Sequence, residues 1–148
     1  MALLVATARI AGRLGLRLEA ATVDHQLRPE SGAEVALVAR ACARLGIPHH
    51  VSSAPVSGSG LEASARLARY RALEAVRATQ GLAAIATAHT GSDQAETLLM
   101  RLARGSALAG AASIQERRAD AVLRPLLFLT RADVEAYVSA LGLEVARD

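Results

Sequence analysis

Short strand-like runs at residues 16–23, 47–53 and 82–88, separated by stretches of helical character, restrict most tightly what this chain can fold into. The first is apolar at alternate positions and then continuous, which predicts a strand buried on both faces. Between the runs the helix signals are explicit. Ser31 followed three residues later by Glu34 is a capping-box pattern for a helix to about Leu45, stopped by Gly46. Residues 61–80 carry helix formers, with Glu62 and Arg66 spaced for an ion pair and Gly81 as terminator. A further helix is expected from about Asp93 to before Gly105, and Thr130 with Asp133 is expected to cap a last one through Leu141. At the start, Leu3, Thr7, Ile10 and Leu14 recur at helical spacing and predict a helix packed on a sheet. Residues 54–60 read as a mobile connection, 105–120 as mostly loop, and 124–129 as a strand or extended segment. Strands alternating with helices imply right-handed crossovers and a parallel sheet, so the fold class is α/β.

A chain of 148 residues, 52% hydrophobic and 21% charged, is one domain able to bury a core without disulfides. Cys42 is the single cysteine, which excludes a disulfide framework and any clustered thiolate zinc or iron–sulfur site, and favours a reducing, cytoplasmic setting. All 17 basic residues are arginine against 14 acidic ones, a net charge of +3. This allows mild nucleic-acid affinity, and an Ala- and Arg-rich genome would produce the same bias. Arg9, Arg13 and Arg17 interrupt the first apolar run, so no membrane span is expected.

In open parallel sheets ligands gather at the carboxyl ends of strands. Asp24 and His25 stand at one such end, and the segment from His89 to Glu96 at another. Asp93 and Glu96, three apart on one helical face, could jointly hold an ammonium group or a metal ion. The same two residues also fit a capping box of the Asp-x-x-Glu kind, and spacing leaves both readings open. Arg66 and Arg69 could clamp phosphate oxygens or form a solvated face. His49 and His50 read as structural or exposed. Common nucleotide motifs, the Walker loop and Gly-x-Gly-x-x-Gly, are absent.

Five segments in order then carry a resemblance: residues 23–31 (Val-Asp-His-Gln-Leu-Arg-Pro-Glu-Ser), 65–73 (Ala-Arg-Leu-Ala-Arg-Tyr-Arg-Ala-Leu), 86–97 with Asp-Gln-Ala-Glu-Thr at its end, 101–106, and 124–127 (Arg-Pro-Leu-Leu). Together they resemble the tRNA(Ile)-lysidine synthases of the ATP pyrophosphatase, or PP-loop, family. The resemblance implies a Rossmann-like parallel sheet with helices on both faces, of the adenine nucleotide alpha-hydrolase type. It implies an ATP- and Mg²⁺-dependent ligase that adenylates the C2 oxygen of the wobble cytidine of tRNA(Ile), after which the amine of L-lysine displaces AMP. Carried over residue by residue, Asp93 and Glu96 match lysine-binding acids, and Arg69 and His89 match ATP-contacting positions. Val23, Asp24 and His25 match the edge of the adenine pocket, and Arg66 is a weaker match for phosphate or tRNA.

The chain departs from the family where His-His-x-Asp-Asp-Gln is replaced by His89-Thr90-Gly91-Ser92-Asp93-Gln94, and where Ala107 replaces a common glycine. The family's first strand and Ser-Gly-Gly-x-Asp-Ser phosphate loop would precede Met1. Residues 1–148 are therefore expected to be a partial catalytic domain, incomplete at the N-terminus and without the family's C-terminal tRNA-binding domains, with no synthase activity alone and marginal stability. The phosphate-loop acid is expected upstream, and no metal ligand is assigned. The resemblance leaves a homodimer open. Two other functions compete: a degenerate nucleotide-binding or interaction module, and a tRNA thiolation relative, against which Cys42 alone inside a helix argues.

Overall fold

The computed structural model describes residues 1–25, 31–54, 61–103 and 115–146, without the side chains of residues 61 and 62. Its elements run α1 (Ala2–Ala11), a 3-10 turn (Gly12–Leu14), β1 (Ala20–Asp24), α2 (Ser31–Leu45), β2 (His49–Ser53), α3 (Leu61–Thr79), β3 (Ile85–Ala86), α4 (Gly91–Ala103), β4 (Val122–Leu123) and α5 (Arg131–Ala140). The chain divides into two compact units, one of Met1, Leu3–Ala83 and Glu144–Asp148, the other of Ala2 and Ala84–Leu143. Among the described residues the strands pair two and two, β1 with β2 and β3 with β4, rather than as one three-stranded sheet.

In the first unit β1 and β2 run parallel, from Ala20 opposite His49 to Asp24 opposite Ser53. Parallel neighbours require a crossover, which α2 supplies while packing on both strands. Leu37, Ala41 and Cys42 form its buried face at the i, i+4, i+5 spacing of a helix. Gly46 stops it with φ at +66°, a conformation that costs a side chain energy. The Gly46 N–H then reaches Ala43 O at 3.3 Å, and the Ile47 N–H reaches Cys42 O at 2.9 Å. Cys42 is 1% exposed, and burial pushes its thiol above the ordinary range. The helix α3 packs on β1, has Ala65 buried, and ends at Gly81 as its sequence predicts.

At the amino ends of β1 and β2 a polar cluster ties the chain together. Glu19, whose side chain is 10% exposed, accepts from His50 Nε2 at 2.7 Å and pairs with Arg17 at 3.4 Å. Arg17 also donates to the carbonyl of Gln80. His49 shares a 2.9 Å hydrogen bond with Thr22 Oγ1, and burial followed by the neighbouring His50 pushes its pKa down. Both histidines are half-buried and hydrogen-bonded within this cluster, which suits the structural one of their two expected readings.

Three expectations are corrected here. The strand predicted over residues 16–23 begins only at Ala20, Leu16 is exposed, and β1 is half-buried throughout rather than enclosed on both faces. In α1 the buried residues are Ala2, Val5 and Ala11, whereas Ile10 and Leu14 are exposed. Ile10 lies five residues past Val5, about 140° around the helix, and Leu14 falls on the tighter 3-10 turn, which rotates it away. The connection at 55–60, the loop at 28–30 and the Glu62 side chain lie outside the described residues.

The second unit is built on β3 and β4, parallel with Ile85 opposite Val122 and Ala86 opposite Leu123. The pairing is prolonged by Ile85 N–H to Ala121 O at 3.0 Å and Thr87 N–H to Leu123 O at 2.9 Å. The expected buried strand at 82–88 thus shrinks to two residues, Ile85 half-buried and Ala86 exposed. The expected extended segment at 124–129 is a pair of turns instead, with Leu127 N–H to Arg124 O and Leu129 N–H to Leu126 O. Pro125 has no N–H with which to continue a ladder. Val122 and Leu126 are buried, and the buried Arg124 guanidinium donates to the carbonyl of Gln115. The loop region predicted for 105–120 is described from Gln115 onward.

Truncating Leu37→Ala on the buried face of α2 is expected to cost about 2–4 kcal/mol. A urea titration reads this as a lower midpoint at unchanged slope, and an unchanged midpoint contradicts the packing described.

Candidate functional site

The segment after β3 turns directly into α4, and its first residues fix one another. Thr90, 6% exposed, donates its backbone N–H and its hydroxyl to Asp93 Oδ2, both at 2.7 Å. The Asp93 N–H points back at Thr90 Oγ1 at 3.4 Å. This is a capping box, but its members are Thr90 and Asp93 rather than the expected Asp93 and Glu96, and α4 starts at Gly91 instead of near Asp93. Gly91 sits at a close approach: a Cβ on it would stand 3.1 Å from Leu127 O and 3.3 Å from Leu129 O, both backbone atoms that would have to give way. Its N–H donates to Leu129 O at 2.8 Å, fixing the α4 start to the chain that leads into α5.

With Oδ2 committed to the cap, Asp93 presents Oδ1 to a cation. Arg131, the first residue of α5, places Nη2 3.3 Å from Asp93 Oδ1 and 3.0 Å from Glu96 Oε1. One nitrogen therefore touches both carboxylates. The Arg131 backbone N–H donates to Ser92 Oγ at 3.0 Å, and α5 is itself capped by Thr130 and Asp133, as its sequence predicts. Asp93 and Glu96 have side chains 34% and 55% exposed, so a solute can reach them. His89 sits at the same turn, its Nδ1 sharing a 2.9 Å hydrogen bond with Thr87 Oγ1.

The largest influence on the Asp93 carboxyl is burial, which alone would raise its pKa. The Thr90 N–H and hydroxyl, then Arg131 and His89, outweigh it and hold the pKa below the ordinary value. A carboxyl depressed in the folded state contributes stability that is present above the unfolded aspartate pKa, near pH 4, and lost as pH falls through the lower folded value.

The first unit holds the other residues named from the sequence. Val23 and Asp24 close β1 opposite Ser52 and Ser53, and the Asp24 carbonyl accepts the Ala54 N–H at 2.8 Å. His25 Nδ1 lies 3.1 Å from the carbonyl of Ala54, and its enclosed Nε2 has no hydrogen-bond partner among the described residues. These three stand together at a strand's carboxyl end, as expected. On α3, Arg69 is exposed. Arg66 lies over the Tyr70 ring, 5.3 Å from its centre, a stacking contact that the sequence did not reveal. Sequence reasoning also missed Arg131 and Gly91. The only signal for Arg131 was its place at the first position of a capped helix, far from Asp93 in the chain. Among the described residues no group of three or more His, Cys, Asp or Glu side chains could hold a metal ion.

The model of the PP-loop domain family matches residues 1–148. This chain belongs to the PP-loop domain family. Curated relatives of this PP-loop domain include tRNA(Ile)-lysidine synthase of Zymomonas mobilis, 39% identical over 140 residues that make up 88% of this chain and 43% of that protein. The enzyme of the same name from Methylobacterium nodulans is 47% identical over 127 residues, 82% of this chain and 38% of that one. That from Salinispora tropica is 45% identical over 150 residues, covering 97% and 45%. The chain spans less than half the length of these relatives. Among solved structures, the U34-tRNA thiolase NcsA of Methanococcus maripaludis superposes with a TM-score of 0.75 over 98% of this chain and 55% of that one. At 17% identity this shows the fold alone, and that fold bears out the Rossmann-like α/β class. No helix among the described residues is long and apolar enough to cross a membrane.

Replacing Thr90→Val removes one of the two hydrogen bonds on Asp93 Oδ2. The Asp93 carboxyl is then expected to titrate at higher pH, and the stability lost on acidification to disappear earlier as pH falls. A carboxyl-detected NMR titration reads the first, and thermal melts between about pH 3 and 6 read the second. An unmoved titration contradicts the cap.

Proposed function

We propose that this chain is the ATP-using part of a tRNA(Ile)-lysidine synthase. The observation that carries the reading is the pair Asp93 and Glu96, whose carboxylates converge on one cationic nitrogen in a PP-loop domain whose curated relatives bear that name. In this reading Asp93 Oδ1 and Glu96 hold an ammonium group of L-lysine, and Thr90 keeps Asp93 ionised and correctly aimed. The Asp93 carboxylate so held is already aimed when the substrate arrives.

ATP is assigned to Val23, Asp24 and His25 at the end of β1 and to Arg69 and His89. A backbone at a strand's carboxyl end suits an adenine edge, and an arginine suits phosphate oxygens. Arg66, already stacked on Tyr70, is the weaker phosphate or tRNA contact. The cytidine C2 oxygen of tRNA(Ile) attacks the α-phosphorus and pyrophosphate leaves; the lysine amine then bonds to C2 and AMP leaves. Mg²⁺ would neutralise charge on the phosphates when bound, and no residue of this chain is assigned to it. Residues 1–148 are proposed as part of the catalytic domain, in a cytoplasmic enzyme, with a homodimer as an open assembly. Sulfur transfer is disfavoured because Cys42 is 1% exposed inside α2, and a buried thiol raised in pKa is a poor nucleophile.

The test is a chimera in which this chain replaces the matching segment of the Zymomonas mobilis relative. Lysine-dependent modification of tRNA(Ile) is expected, and Asp93→Asn in it is expected to raise the lysine KM by about 10- to 100-fold, the worth of a charged hydrogen bond. An active chimera whose lysine KM ignores the substitution returns Asp93 to a purely capping role.

A further inference from the structure

We propose that Arg131 is a resident competitor for the amine substrate, its Nη2 holding the position between Asp93 and Glu96 that a substrate ammonium takes when it binds. The inference rests on the reading of those acids as the lysine site, and adds to it a residue that sets how tightly and how selectively lysine is held.

Three observations support it. A single Arg131 nitrogen makes both contacts, 3.3 Å to Asp93 Oδ1 and 3.0 Å to Glu96 Oε1, so the point it occupies is one where an ammonium nitrogen meets both carboxylates at once. The guanidinium is not built into a core. Its side chain is 55% exposed, so it can swing into water at small cost, as exposed ion pairs generally can. The backbone of Arg131 is fixed independently, by its N–H on Ser92 Oγ and by the Thr130 cap of α5, so releasing the side chain leaves the turn intact. The Ser92 hydroxyl thus holds the competitor's main chain.

The consequence is selectivity. With Arg131 in place both carboxylates share one cation and half of their negative charge is balanced, so a stray monovalent cation gains less by approaching than it would at the bare pair. A ligand must bring further contacts of its own to displace a tethered guanidinium, and an amino acid with additional groups to bind elsewhere can do so.

Calorimetric titration of L-lysine into the full 148-residue chain and three variants tests this. Arg131→Gln is expected to bind lysine about two- to five-fold more tightly than the unaltered chain, the range an exposed ion pair supports. Arg131→Lys, which keeps the charge, is expected to stay near the unaltered affinity, and Asp93→Asn to lose most binding. In the unaltered chain the Arg131 guanidinium NMR signal is expected to move to its solvent-exposed position as lysine saturates. If Arg131→Gln binds lysine equally or more weakly while Asp93→Asn still loses it, the competitor role is overturned and the lysine site stands. If Asp93→Asn binds as before, or no lysine binds to any of the four proteins, the site reading fails and the competitor role falls with it.

Discussion

The hydrogen bonds from Thr90 to one oxygen of Asp93 are the interaction on which the rest of the site depends. A helix beginning at Gly91 leaves its first N–H groups without partners, and a carboxylate three residues in can cap the turn and favour the helix dipole at the same time. Because Thr90 takes Oδ2 from both its N–H and its hydroxyl, the carboxyl group cannot rotate freely. Its second oxygen faces Arg131, whose Nη2 also meets Glu96. Capping the helix and facing a cation are thus not alternatives here; the two oxygens of one side chain divide the tasks.

That division explains why the sequence left the question open. Spacing places Asp93 and Glu96 on one face of α4, and this holds whether they bind a ligand or cap a helix. Spacing does not say which residue supplies the cap, and Thr90 reads as an ordinary turn residue until its hydroxyl is placed. Thr90 and Ser92 each have a defined task at this turn. Thr90 supplies the cap, and Ser92 Oγ accepts the N–H that begins α5. Arg131 was invisible for a different reason: it reaches Asp93 through tertiary proximity, 38 residues away in the chain, and no local pattern encodes that.

The helices were the legible part of the fold. Gly46 and Gly81 end α2 and α3 where their sequence says, and the Thr130–Asp133 box caps α5. Such signals are local, because a left-handed glycine or a capping pair acts within four residues. The strands were legible only as to existence. Their lengths depend on partners distant in sequence, which is why residues 16–19 drop out of β1 and why β4 falls on residues 122–123 rather than within 124–129. In α1 small residues carry the burial while Ile10 and Leu14 face outward, a choice that periodicity of large side chains could not reveal.

The most direct measurement of the central claim is a crystal structure of the chain with L-lysine. The account predicts a lysine ammonium nitrogen within hydrogen-bond distance of Asp93 Oδ1 and Glu96, with Arg131 displaced toward solvent and Asp93 Oδ2 still held by Thr90. Lysine bound elsewhere, or bound while Arg131 keeps both carboxylates, would contradict it.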